Sequence, residues 1–129
     1  MKKLIALCSI AFLFACSSNG GEVEVGKKTT LEVNDIFDAG TVVKGEVIRA
    51  VFTVKNTGDY PLVFGEVRPS CSCTVADKPS EPIQPGESTK IIAKVNTANV
   101  TSKEVTKSVT IMTNTTPSTK VLIIKAKIK

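Results

Sequence analysis

The chain has 129 residues, with 17 Lys and Arg against 12 Asp and Glu, four cysteines and no histidine. That length suits one domain, and the missing histidine excludes Ser-His and Cys-His catalysis in its usual form. A single Tyr, no Trp and lysines that do not cluster exclude the basic, aromatic-studded stripe of a nucleic-acid binder.

The chain opens with MKKLIALCSIAFLFAC. Lys2 and Lys3 give a positive start, and Leu4 to Ala15 is an apolar run broken only by Ser9. This is the pattern of a secretory signal peptide, whose apolar region spans ~7–15 residues, and it is too short for a membrane helix of ~20 residues. Leu13-Phe14-Ala15-Cys16 resembles the lipobox of bacterial lipoproteins. That resemblance implies cleavage before Cys16 and a lipid on its sulfur. Residues 1–15 are therefore expected to be removed, taking Cys8, Lys2 and Lys3 with them and leaving a net charge of +3. With Cys16 used for the lipid, Cys71 and Cys73 are the thiols left for other chemistry.

Residues 16–28, CSSNGGEVEVGKK, are polar, Gly/Ser-rich and without a packing pattern, so they read as a flexible tether. Twelve such residues span roughly 20 Å root-mean-square, which holds the folded domain close to a membrane.

Residues 29–129 read as β throughout, with no convincing amphipathic helix. In EVIRAVFTVKN, Ile48, Ala50, Phe52 and Val54 share one face, and Val47, Arg49, Val51, Thr53 and Lys55 the other. That alternation marks a half-buried strand. The turn-rich NTGDYP comes next, then LVFGEV, in which Leu62 and Phe64 share a phase but Val67 does not, so a bulge is expected at Gly65. After the cysteines comes ADKPSEPIQPGES, a loop ending in Pro85-Gly86, the pair of a type II turn. STKIIAKVNT places Ile91, Ala93 and Val95 inward and Lys90 and Lys94 outward; VTKSVTIMTN and STKVLIIKAKIK complete the set. About seven strands in ~100 residues predict an all-β, antiparallel Ig-like β-sandwich. No Trp and no widely spaced cysteine pair are available for an antibody-type core, so aliphatic packing must supply it.

The segment from Phe37 to Ser88 resembles a family of bacterial secreted and lipid-anchored proteins of unknown function, common in Bacteroidetes-type bacteria. The resemblance rests on Phe37-Asp38 with Gly40, the Asn56-Thr57-Gly58-Asp59 turn, Pro61-Leu62, the Ser70-Cys71-x-Cys73-Thr74 motif and Pro85-Gly86-Glu87. It implies one domain similar to the Hydin-type (ASH) and PapD-like sandwiches; the family has no established activity, so the resemblance speaks to fold rather than function. In such bacteria acids just after the lipid cysteine resemble a surface-display signal. Ser17 to Gly21 has none, which favours a lipid-anchored domain on the outer membrane facing the periplasm.

Four readings compete for Cys71 and Cys73. In a flat strand residues i and i+2 stand roughly 6.6 Å apart at Cα, too far for Cβ atoms that must approach within ~3.5–4.5 Å. A bend at Ser72 would allow the bond, in a loop too small to restrain the unfolded chain much. Zinc wants four ligands; this chain has two thiols, no histidine, and only Glu66 and Asp77 nearby. Cu(I) favours thiolates and thioethers, but Met112 is distant in sequence. Redox chemistry needs a lowered thiol pKa, and the sequence offers the flanking Arg68 and Lys78. A structural disulfide or packing role ranks first, a redox-sensitive pair second and a metal site third.

The expectation is a lipid-anchored envelope domain that binds or organises other molecules, with the membrane, through Cys16, and an envelope protein or glycan as partners. No catalytic residue, cofactor or metal is expected. Sandwiches bind through end loops or by adding a strand at an edge. The rival is thiol exchange or metal handling at Cys71 and Cys73.

Overall fold

The computed structural model describes residues 26–129. Lys2, Lys3, Cys8 and Cys16, with the expected signal and most of the tether, lie outside the described residues.

Eight strands form, β1 (Leu31–Val33), β2 (Ile36–Val42), β3 (Val47–Asn56), β4 (Phe64–Pro69), β5 (Thr74–Ala76), β6 (Ser88–Asn96), β7 (Glu104–Thr113) and β8 (Thr119–Ile128). They make two four-stranded sheets, β1-β3-β6-β5 and β2-β8-β7-β4. This is the all-β sandwich expected, with two differences. The three-residue β5 lies where the sequence marks only the approach to a loop, and β2 runs parallel to β8 rather than antiparallel. Neither is a local property: β5 exists because β6 offers it a free edge, with Val75 opposite Lys94.

Alternation builds the core. Ile48, Ala50, Phe52 and Val54 of β3 face Ile91, Ala93 and Val95 of β6 on one inner surface, and Val109, Ile111, Leu122 and Ile124 supply the other; all are buried. The rings of Phe37 and Phe52 meet edge-on with centroids 6.3 Å apart. The β4–β7 register shifts between Phe64 and Val67, the bulge expected at Gly65, and this turns both apolar side chains inward. Gly86 has φ +82°, the left-handed backbone that a type II turn requires of its third residue.

One polar group sits inside this core. Asn56, in phase with the apolar residues of β3, is fully buried. Its amide accepts from the Thr29 hydroxyl at 2.7 Å and the Gly58 N–H at 3.1 Å, and donates to the carbonyls of Tyr60 at 2.7 Å and Ile83 at 2.8 Å. The whole NTGDYP turn is thereby wound around one side chain, and none of its four hydrogen-bonding sites is left empty.

Candidate functional site

The stretch Pro69 to Thr74 carries the chain from β4, an edge of one sheet, to β5, an edge of the other. Each end is fastened to its own sheet. Ser70 N–H donates to the Ser108 carbonyl of β7 at 2.8 Å, and Ser108 N–H donates back to Ser70 Oγ at 3.1 Å. On the other side Asn96 N–H of β6 donates to the Cys73 carbonyl at 2.9 Å. Between these anchors Thr74 N–H donates to the Cys71 carbonyl at 3.2 Å and closes a four-residue turn.

The turn settles the geometry that the sequence leaves open. The chain bends at Ser72, the Cα atoms of Cys71 and Cys73 come to 5.3 Å, and a disulfide joins them. That spacing lies inside the ~4.4–6.8 Å range of disulfides, whereas an extended strand would exceed what the Cβ atoms tolerate. Both cysteines are half-buried, and the hydroxyl of buried Thr74 lies 3.6 Å from the Cys71 sulfur and 3.8 Å from the Cys73 sulfur.

The flanking cations are occupied elsewhere. Arg68 pairs with Glu66 at 2.6 Å, and that hydrogen bond and charge raise the Arg68 pKa above its already high ordinary value. Lys78 donates to the Gly65 carbonyl at 3.1 Å, across the gap between β4 and β5. The cation that shares a cleft with the disulfide is instead Lys107, which sequence adjacency does not reveal. A cleft of about 680 Å³ opens between the β6–β7 loop and the turn, lined by Cys73, Asn96, Val100, Glu104 and Lys107 among others. One signal points to Lys107: it stands on the same phase of β7 as Val105, Val109 and Ile111, where an apolar residue is the rule. Among the described residues no three Cys, Asp or Glu side chains converge as metal ligands.

A second feature covers the outer face of the β1-β3-β6-β5 sheet. Arg49 of β3 lies directly opposite Lys94 of β6, Thr53 opposite Lys90, and the Val51–Ile92 pair fills the space between. Arg49, Lys90 and Lys94 are exposed, and none of them has an ion pair among the described residues. Glu32, opposite Lys55, and Asp77, beyond β5, are acids at the two margins. Like charges directly opposite on neighbouring strands are destabilising. The other sheet avoids the problem, because Lys125 stands opposite Asp38 and Lys127 opposite Glu104.

Residues 23–128 match a family described as "Protein of unknown function (DUF1573)". No curated protein matches the chain. Among solved structures, a protein of unknown function from Porphyromonas gingivalis superposes with a TM-score of 0.71 at 20% identity, over 84% of this chain and 51% of that one. This chain thus spans about half the length of that relative. The ASH/PapD-like domain 7 of human CEP192 gives a TM-score of 0.61 at 9% identity, over 79% of this chain and 87% of that domain. The secreted serine protease VesC of Vibrio cholerae gives 0.60 at 15% identity, over 78% of this chain but 23% of the protease. At these identities the likenesses concern the fold alone: a PapD-like, Ig-like sandwich.

Proposed function

The chain belongs to the DUF1573 family of proteins of unknown function, and we propose that it is a lipid-anchored cell-envelope module that binds an acidic protein or glycan. The lipid is carried by Cys16, the domain faces the periplasm from the outer membrane, and the work is binding rather than catalysis. The observation that supports this reading is the uncompensated cationic face. Arg49 and Lys94 repel each other across the β3–β6 ladder at a cost to the fold, and an anionic partner would remove that cost. The apolar Val51–Ile92 pair at its centre adds a surface that desolvates on contact.

Two experiments test the two halves. Growth with a radioactive fatty acid should label the wild type and leave Cys16→Ala unlabelled; label that survives the substitution rules out the anchor. For the partner, the purified domain is sedimented with isolated envelopes. The double variant Arg49→Glu, Lys94→Glu should lose binding, as should wild type in high salt. Lys125→Glu with Lys127→Glu, on the opposite sheet, should bind as wild type does. Equal loss from both double variants would show that only net charge matters and would refute a specific face.

A further inference from the structure

We infer that the Cys71–Cys73 disulfide is a redox-active site that exchanges with a dithiol or disulfide of a partner polypeptide held in the adjoining cleft. This goes beyond the binding role and depends on neither the lipid anchor nor the cationic face.

The first argument concerns what the bond does not do. It joins residues two apart in sequence, and a loop that small removes little entropy from the unfolded chain. Nor is it needed to hold the bend. The turn is closed by Thr74 N–H on the Cys71 carbonyl, and fastened by Ser70 and Ser108 to one sheet and by the Asn96 N–H on the Cys73 carbonyl to the other. These backbone bonds remain when the sulfurs separate. Oxidised and reduced forms therefore share one fold, which is what a reversible couple requires.

The second argument concerns the surroundings. Thiolates, not thiols, are the reactive and leaving species in exchange, and they need a positive or hydrogen-bonding neighbour. The Thr74 hydroxyl is within 4 Å of both sulfurs, so it serves whichever one carries the charge. Lys107 and the acid Glu104 line the same cleft as Cys73; Glu104 stands opposite Lys127 of β8, Lys107 opposite the uncharged Ile124, and Arg68 and Lys78 are held by Glu66 and the Gly65 carbonyl. A strand of the sandwich thus spends an inward-phase position on a lysine that lines the disulfide's cleft. At about 680 Å³ the cleft has room for a short peptide segment, not only a small thiol.

The chemistry balances without a further reagent. A thiolate of the partner dithiol, lying in the cleft, attacks the Cys73 sulfur. The Cys71–Cys73 bond breaks, and its electron pair leaves on the Cys71 sulfur, where Thr74 donates to it. The partner's second thiol, losing its proton to water, attacks the partner sulfur of the mixed disulfide and expels the Cys73 thiolate into the cleft that Lys107 lines. The partner dithiol has become a disulfide, and Cys71 and Cys73 have taken up its two electrons and, from water, two protons. The reverse sequence reduces a partner disulfide.

The test uses the purified domain and a synthetic peptide with two cysteines two residues apart. With wild type, the reduced peptide should open the bond in native buffer, followed by alkylation and intact mass, and the reduced protein should keep the oxidised form's β-sheet circular dichroism. Lys107→Gln should slow this reaction about fivefold or more, and in a Cys71→Ser background should raise the pH at which Cys73 alkylates. With the oxidised peptide, Cys71→Ser should trap a mixed disulfide at Cys73 at least tenfold faster than Cys73→Ser traps one at Cys71. The inference is overturned by reduction that occurs only in denaturant, by a reduced form that unfolds, or by a Lys107→Gln variant that reacts with unchanged rate and pH profile.

Discussion

Replacing Asn56 by Ala should be among the most damaging single changes in this domain, although it removes no apolar contact of note. The side chain makes four hydrogen bonds. Two of them, to Thr29 and Ile83, are wholly buried, and the other two are partly so. The Ile83 carbonyl keeps a second donor, Leu62 N–H at 2.8 Å, so its loss is the milder one. The Thr29 hydroxyl is left inside the protein without an acceptor, which costs about 1–3 kcal/mol. The remaining bonds add ~0.5–1.5 kcal/mol each where water does not replace them. With the Ile83 carbonyl still served by Leu62 and water reaching the two partly exposed groups, the net loss is about 2–5 kcal/mol, a large share of the ~5–15 kcal/mol that separates native from unfolded domains. With a urea slope of ~1–2 kcal/mol per molar for a domain of this size, the unfolding midpoint should fall by roughly 1–5 M, followed by circular dichroism because the chain has no Trp. Asn56→Asp keeps the acceptor but faces a carboxylate toward the Tyr60 and Ile83 carbonyls, and at neutral pH should fall at least as far. A midpoint within about 0.3 M of wild type for Asn56→Ala would mean that the turn is held by its backbone, and the reasoning would fail.

Other perturbations separate packing from charge. A Cβ at Gly58 would collide with the Thr29 hydroxyl and come within 2.6 Å of the Thr30 backbone nitrogen, so Gly58→Ala should cost about 1–3 kcal/mol in the same urea titration, and most of that cost should persist in an Asn56→Ala background because the backbone contact remains. Phe52→Ala empties the centre of the core, where Phe52 is 1% exposed, and should cost about 3–5 kcal/mol in that titration. Arg49→Glu replaces a repulsion with an attraction to Lys94 and should raise stability by ~0.2–1 kcal/mol while weakening envelope binding. A variant that is both less stable and unimpaired in binding would contradict the assignment of that face.

The strands were legible because the core uses period two with few exceptions. EVIRAVFTVKN shows its buried face without any structure, and so does LVFGEV once Gly65 is allowed to shift the phase. Asn56 and Lys107 carry a signal that the sequence reading does not use, a polar residue on an apolar phase, and the sequence does not give the reason each is tolerated. Asn56 is satisfied by Thr29, Gly58, Tyr60 and Ile83, and the farthest of these is 27 residues away. Lys107 is tolerated because its end of β7 opens onto the cleft beside Cys73. Pairing was illegible for the same reason. The parallel alignment of Ile36 with Ile123 joins strands from opposite ends of the domain, and the bend at Ser72 depends on β6 and β7 anchoring the two ends of the turn. Alternation reports burial; it carries no information about which neighbour does the burying.

The sheet edges bear on how such a domain meets a partner. Adding a strand requires a regular row of unpaired backbone groups, and this sandwich interrupts every one, as proteins that avoid edge-to-edge association do. β1 and β5, the edges of one sheet, have three residues each. On the other sheet β4 is bulged between Phe64 and Val67, and Lys78 occupies its Gly65 carbonyl. β2 is longer, but its register shifts between Asp38 and Thr41, where Gly40 takes φ +66° and donates to Asp38. A peptide seeking to extend the second sheet would have to straighten a bulge or displace a lysine, and the first offers it edges of only three residues. The outer face of β3 and β6 imposes no such demand. Nine residues of each strand pair there in unbroken register, which makes a flat surface whose side chains stand at fixed intervals. Arg49, Lys90 and Lys94 therefore stand on backbone already in place before a partner arrives, so contact there orders side chains but no backbone. Strand addition is thereby disfavoured relative to contact through the β3–β6 face.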